Sequence, residues 1–238
     1  MSTWTVALMG VTVLVASFVQ GSTGMGFALI AAPVIGLLRP LLLPVFLLVQ
    51  MVPLNAYVAW RERHALDRVG ATWISGGRLV GTFGGLGILL VVTTGQLSLL
   101  VGVSTVLASL ATLVMPAFDP GRRALVTVGL VTGITETATG VGGPPLALVY
   151  QHRPAAVLRS TVASCFLVGE LISLAVLAES GKVGADQVES ALLLLPAVGV
   201  GALLSRLVHH RLDGALMRYV VLGFALVSGI VVTVQALF

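Results

Sequence analysis

Residues 4–38 pass without one charged side chain, a run of 35 residues. As a single helix rising 1.5 Å per residue it would measure about 52 Å, against a hydrocarbon core of about 30 Å. Nothing in water shields such a stretch, and the remainder of the 238-residue chain is of the same kind: 57% hydrophobic, 9% charged, mean hydropathy +1.07. A soluble domain is about 45–50% apolar and about 25% charged, so that class is excluded. Disorder needs the opposite composition. The runs are continuous rather than alternating and aromatics are only 6%, which selects membrane helices over a barrel. The pI near 10.0 does not imply nucleic acid, because the arginines are scattered over short loops between apolar runs, where they set membrane orientation. With Cys165 as the only cysteine, no intrachain disulfide and no cysteine metal cluster can form.

Eight apolar blocks follow one another, at 4–38, 41–60, 71–92, 97–115, 124–151, 155–178, 191–208 and 215–237. The connections are too short for a soluble module, so residues 1–238 read as a single transmembrane domain. Met1-Ser2-Thr3-Trp4 has no basic character and no small-residue cleavage site closes a short apolar core; the first block is expected to be retained in the mature protein.

Two blocks contain their own interruption, Gly21-Ser22-Thr23-Gly24-Met25-Gly26 in the first and Gly140-Val141-Gly142-Gly143-Pro144-Pro145 in the fifth. Glycine loses backbone entropy in a helix, and proline lacks a donor and clashes with the preceding turn, so both sites predict a break. Gly24 and Gly26 superpose on Gly140 and Gly142, Thr23 on Thr139 and Gln20 on Glu136, all at an offset of 116 residues. The chain therefore reads as two related halves, approximately 1–119 and 120–238. If every block crosses the membrane once, arginine and lysine divide six against six between the two sides. If blocks one and five dive in and return, the division is ten against two, with only Arg39 and Lys182 opposite the rest. The second arrangement obeys the positive-inside bias. It leaves three crossings per half, which makes the halves inverted repeats, a plan that recurs in secondary transporters.

The two motifs, Gly21-Ser22-Thr23-Gly24-Met25-Gly26-Phe27 with Pro33 and Gly140-Val141-Gly142-Gly143-Pro144-Pro145-Leu146, resemble the sulfite exporter TauE/SafE family. The resemblance spans the whole chain and implies a membrane transporter of sulfur-containing anions such as sulfite and sulfonates. The residues themselves point the same way. A break inside the bilayer is tolerated where it lines a cavity, and half-helices starting near Phe27 and Pro144 would aim free N–H groups and positive dipole ends into it. Thr23, Gly24, Gly26, Thr139, Gly140, Gly142, Gly143 and Pro144 are thus the expected anion site, the two threonines supplying hydroxyl donors. The competing reading of the glycines is close helix packing.

Glu136 and Glu170 are intramembrane carboxylates, which face a cavity or a partner. Glu136 reads either as a carrier of a coupling proton or as a hydrogen-bonded clamp between helices, and its counterpart Gln20 cannot ionise. Glu170 falls near Asn55 in the superposition, and both are expected to line the path. Arg78 lies eight residues into its block; the ordinary expectation is that it snorkels to the headgroups, and the sharper one is a gate charge for the anion. His64, His152, His209 and His210 all fall in or beside loops, so no intramembrane Ser-His pair follows, and no phosphate-binding loop or metal site is present in the sequence. The expectation is a multi-pass protein of the inner cell membrane, not an enzyme, without cofactor, whose partners are the bilayer, a small anion and a coupling proton. The alternatives are an intramembrane enzyme using Glu136 or Glu170, a passive anion channel, and a non-transporting membrane subunit.

Overall fold

The computed structural model describes residues 3–114, 120–150, 153–208 and 214–237. Residues 115–119 and 209–213, the latter with His209, His210 and Arg211, fall outside them, as does His152. The described residues form ten α-helices and no strand: α1 Thr3–Thr23, α2 Phe27–Leu38, α3 Val45–Arg61, α4 Arg68–Val91, α5 Thr94–Val114, α6 Arg122–Thr139, α7 Gly143–Tyr150, α8 Ala155–Glu179, α9 Ala185–Val208 and α10 Gly214–Leu237. The first and fifth blocks each form two helices. Six helices (α1, α4, α5, α8, α9 and α10) are long and apolar enough to cross a membrane. Val11, Val80, Phe83, Leu193, Leu203 and Val227 stand on their outer faces, each more than half exposed. A water-facing surface would not carry so much apolar side chain, whereas lipid does.

Both breaks are built the same way. α1 stops where Gly24 adopts φ +89° and α6 where Gly140 adopts φ +80°, a left-handed backbone that side chains resist. The Thr23 hydroxyl donates to the Val19 carbonyl at 3.0 Å and accepts from the Met25 amide at 3.3 Å. Thr139 donates to Thr135 at 2.7 Å and accepts from Val141 at 3.2 Å. Beyond the first break, α2 is apolar all round and buried along most of its length, so it and α3 form the centre against which the longer helices pack.

Small residues decide which helices touch. Gly77, Gly81 and Gly85 recur every four residues on α4 and meet backbone atoms of α6 at Val126, Leu130 and Ile134. Gly129 and Gly133 of α6 in turn meet Ile74 and Arg78 of α4. α1 lies on α9 in the same manner: Gly201 faces Leu14 and Ser17, and Gly21 faces Ser205. On α5 and α10, Gly102 meets Gly229 and Thr233. Without a hydrophobic drive in lipid, such close backbone approach is what holds helices together. In both α1–α9 and α4–α6 the contacts advance together along the two chains, so each pair is parallel. α3 and α8 run antiparallel, as Asn55 meets Glu170 at one level and Glu62 meets Arg159 at another.

The helix ends sort the charges. At one end, Arg159 Nε donates to Glu62 Oε1 at 3.0 Å, the Tyr150 hydroxyl donates to Asp67 Oδ2 at 2.9 Å, and the Asp67 amide donates to Thr161 at 3.1 Å. Asp67 also caps α4 by accepting from the Gly70 amide at 2.9 Å. Arg61, Arg63, Arg68, Arg122, Arg123, Arg153, Arg159 and Arg206 gather at this end. At the other, Gln187 Nε2 donates to the Leu41 carbonyl at 2.9 Å, which places the turn after Arg39 beside the α8–α9 connection with Lys182. Single cysteines replacing Arg63 and Lys182 are therefore expected to react with an impermeant maleimide from opposite faces of the membrane. Cys165 is buried and stays silent. Labelling of both positions from one face would refute the arrangement.

Candidate functional site

Residues on either side of the two breaks line one shared space. Gln20, Gly26, Ala28 and Leu29 come from the first break, Glu136, Gly142 and Gly143 from the second, and Met51 and Phe166 close the sides. Its volume, about 10 Å³, is room for about one water. The hairpin tips themselves reach past each other. Gly24 packs against Leu158 and Arg159 near the start of α8, and Gly140 against Leu47 near the start of α3.

This placement divides the expected anion residues. Gly26, Gly142 and Gly143 line the space; Gly24 and Gly140 are the backbone pivots that turn the chain back toward it. Thr23 and Thr139 do not supply free hydroxyl donors, since each has a single proton and spends it on a backbone carbonyl, Thr139 on Thr135 at 2.7 Å and Thr23 between Met25 at 2.6 Å and Val19 at 3.0 Å. The two half-helices also differ as donors. Phe27, Ala28 and Leu29 form the first turn of α2, whose amides have no partner within the helix. Pro144 and Pro145 occupy the corresponding turn of α7 and have no N–H to offer. The amides at the second break are therefore those of Gly142 and Gly143.

Behind the space lies a fully buried polar network. The Phe27 amide donates to Gln20 Oε1 at 3.0 Å, Gln20 Nε2 donates to Asn55 Oδ1 at 2.8 Å, and Asn55 Nδ2 donates to Glu170 Oε1 at 2.6 Å. Because a backbone N–H can only donate, the orientation of both side-chain amides follows from it. Arg78 forms an ion pair with Glu136. Its guanidinium lies on the backbone of α8 at Gly169 and over the Phe166 ring, 5.4 Å from the centroid. Arg78 thus does not snorkel: it is 0% exposed, because Glu136 on the helix packed closest to α4 gives it a partner inside. Asn55 and Glu170, matched in the sequence as counterparts, are joined directly. Gln50 points elsewhere, donating to the Ala191 carbonyl at 3.1 Å.

Met51, Ala28, Leu29 and Phe166 are wall residues that carry no sequence signal, being apolar among apolar neighbours. The Arg78–Glu136 pairing did have one: the four-residue glycine spacing on α4 and the Gly129–Gly133 pair on α6 mark two faces able to meet. Among the described residues no group of His, Cys, Asp and Glu is arranged to hold a metal.

Six helices long and apolar enough to cross a membrane, packed with two broken helices around a buried polar centre, define a multi-pass membrane protein. The family is specific. The family model described as Sulfite exporter TauE/SafE matches residues 9–232, and the chain belongs to that family of membrane transporters. The match includes both breaks and the residues Gln20, Asn55, Arg78, Glu136 and Glu170. No curated protein and no solved structure matches the chain.

Proposed function

We propose that this protein is a secondary transporter of the inner cell membrane that exports a small anion, sulfite, a sulfonate or another organosulfur anion, by alternating access. The observation that carries the reading is the shared cavity: residues after each glycine break, distant in sequence, line the same space. The site takes the anion on the amides of Ala28 and Leu29 in the first turn of α2 and the amides of Gly142 and Gly143, where partial positive charge accumulates. The halves 1–119 and 120–238 act as inverted repeats that rock about this centre. The pairing of α1 with α9 and of α6 with α4, one helix from each half in both cases, supports that division. The space holds about one water, so it represents the site in a closed form that opens to one side at a time. A proton accompanies the anion, and the arginine-rich end is cytoplasmic by the positive-inside bias.

Flux into proteoliposomes tests the reading. Sulfite and sulfonates are expected to move with saturable kinetics and counterflow, and with a rate that depends on a pH gradient; sulfate and carboxylates provide the comparison. Flux that never saturates and shows no counterflow would mean a channel instead. Gly143→Val is the focused variant, because a Cβ there meets only Phe166, at 3.9 Å, and Gly143 has no positive φ. The protein is expected to insert and fold while its cavity is filled, so anion flux falls to background. Normal flux in this variant would place the anion elsewhere.

A further inference from the structure

We propose that the coupling proton is held by Glu170, and that Asn55 and Gln20 carry its protonation state to the first turn of α2; this rests on the transport reading above. Arg78 on α4, Glu136 on α6 and Glu170 on α8 are each 0% exposed. The Arg78 guanidinium pairs with Glu136 and lies on α8 at Gly169, next to Glu170 in the chain. One cation thus serves two carboxylates. With both ionised, a net negative charge would sit in a medium that solvates it poorly, and a buried group in that position takes up a proton.

The geometry says which carboxylate takes it. Glu136 has the ion pair. Glu170 Oε1 accepts from Asn55 at 2.6 Å, while its Oε2, like both oxygens of Glu136, has no hydrogen-bond partner among the described residues; Glu170 differs in having no ion pair of its own. The groups facing Glu170 are Asn55 from α3, Arg78 from α4 and, beyond the guanidinium, Glu136 from α6; Cys165 lies a turn back on α8 itself. Oε2 is therefore the atom that binds and releases the proton, exchanged ultimately with water. Glu136, ionised against Arg78, remains the fixed charge of the set.

The relay follows from the direction of the hydrogen bonds. Every link from the Phe27 amide through Gln20 and Asn55 donates toward Glu170. A negative Glu170 makes the last link charge-assisted and polarises the others in the same sense. Protonation at Oε2 removes that pull. Phe27 heads the turn whose next residues, Ala28 and Leu29, line the cavity, so the proton reaches the anion site through bonds already in place.

Infrared pH titration of the purified protein without any anion tests the proton site. A carboxylic-acid carbonyl band is expected that vanishes as pH rises and is missing in Glu170→Gln, which preserves size and the acceptor for Asn55. In Glu136→Gln the surplus negative charge is gone, so the Glu170 band is expected to be lost at lower pH than in the unmodified protein. A band that persists in Glu170→Gln overturns the assignment. Sulfite flux into proteoliposomes tests the coupling. The ratio of flux with and without a pH gradient is expected to fall to unity in Glu170→Gln and in Asn55→Leu, which keeps the band but cuts the relay. Gradient stimulation of wild-type size in Asn55→Leu would overturn the relay. Since the infrared experiment uses no anion, absence of sulfite flux in the unmodified protein would sink the transport reading and leave the proton site standing.

Discussion

Gly81→Leu is expected to leave almost no correctly folded protein. A Cβ at residue 81 would enter the space of the Leu130 carbonyl oxygen and lie 3.1 Å from the Gly133 Cα. These are backbone atoms of α6, and no rotamer change can move them. The helices would have to separate, and separation also undoes the neighbouring contacts at Gly77 and Gly85, because all three lie on one face. Overpacking a core costs about 1–3 kcal/mol where side chains can yield; here none can, and about 3 kcal/mol is the lower bound of what is expected. The same helix supplies its own control. A Cβ at Gly76 or Gly87 would have nothing within 4 Å, so leucine there is expected to be neutral or to stabilise by up to about 1 kcal/mol through helix propensity. Thermal unfolding in detergent, followed by the fraction eluting as a single species, separates the cases. Equal stability of Gly81→Leu and Gly76→Leu would show that α4 and α6 do not meet as described.

The breaks are legible in the sequence because they are local. Gly24, Gly26 and Gly140 adopt positive φ, a demand that falls on the residue itself and is met by the residue type. Element ends set by charge are less so. Hydropathy bounds the seventh block at residue 191, whereas α9 begins at Ala185 and takes in Asp186 and Glu189; a helix can start in the headgroup layer, where an acidic residue in the first turn suits the dipole. The hydroxyls of Thr23 and Thr139 suggest anion contacts because they are donors, but a hydroxyl next to a freed helix end finds a backbone carbonyl first. Most informative is Arg78. Its depth along α4 can be counted from sequence. What cannot be counted is that α6, closed onto α4 by Gly129 and Gly133, brings Glu136 to it. Depth is a property of one segment, whereas burial of a charge depends on the partner, and the partner is a matter of packing.

That partnership predicts an asymmetry between its two members. Arg78→Met removes the only cation of the set and leaves Glu136 and Glu170 both buried without one. Glu136→Gln removes one carboxylate, and Arg78 still has Glu170 beside it along α8. Breaking a buried pair from one side typically costs about 3–5 kcal/mol, because the remaining charge is uncompensated. Arg78→Met is therefore expected at or above that range near neutral pH, and Glu136→Gln clearly below it. Lowering the pH should recover part of the stability of Arg78→Met, since the stranded carboxylates can each take a proton and become neutral. It should lower the stability of Glu136→Gln instead, because a proton on Glu170 takes away the one partner Arg78 has left. The double variant Arg78→Met with Glu136→Gln is expected to be more stable than Arg78→Met alone, as one of the two stranded charges is gone. Thermal midpoints in detergent across a pH series measure all of this at once. Identical losses for the two single variants, with no effect of pH, would mean that Arg78 and Glu136 are held apart in the folded protein and that the charge balance at its centre is set by other groups.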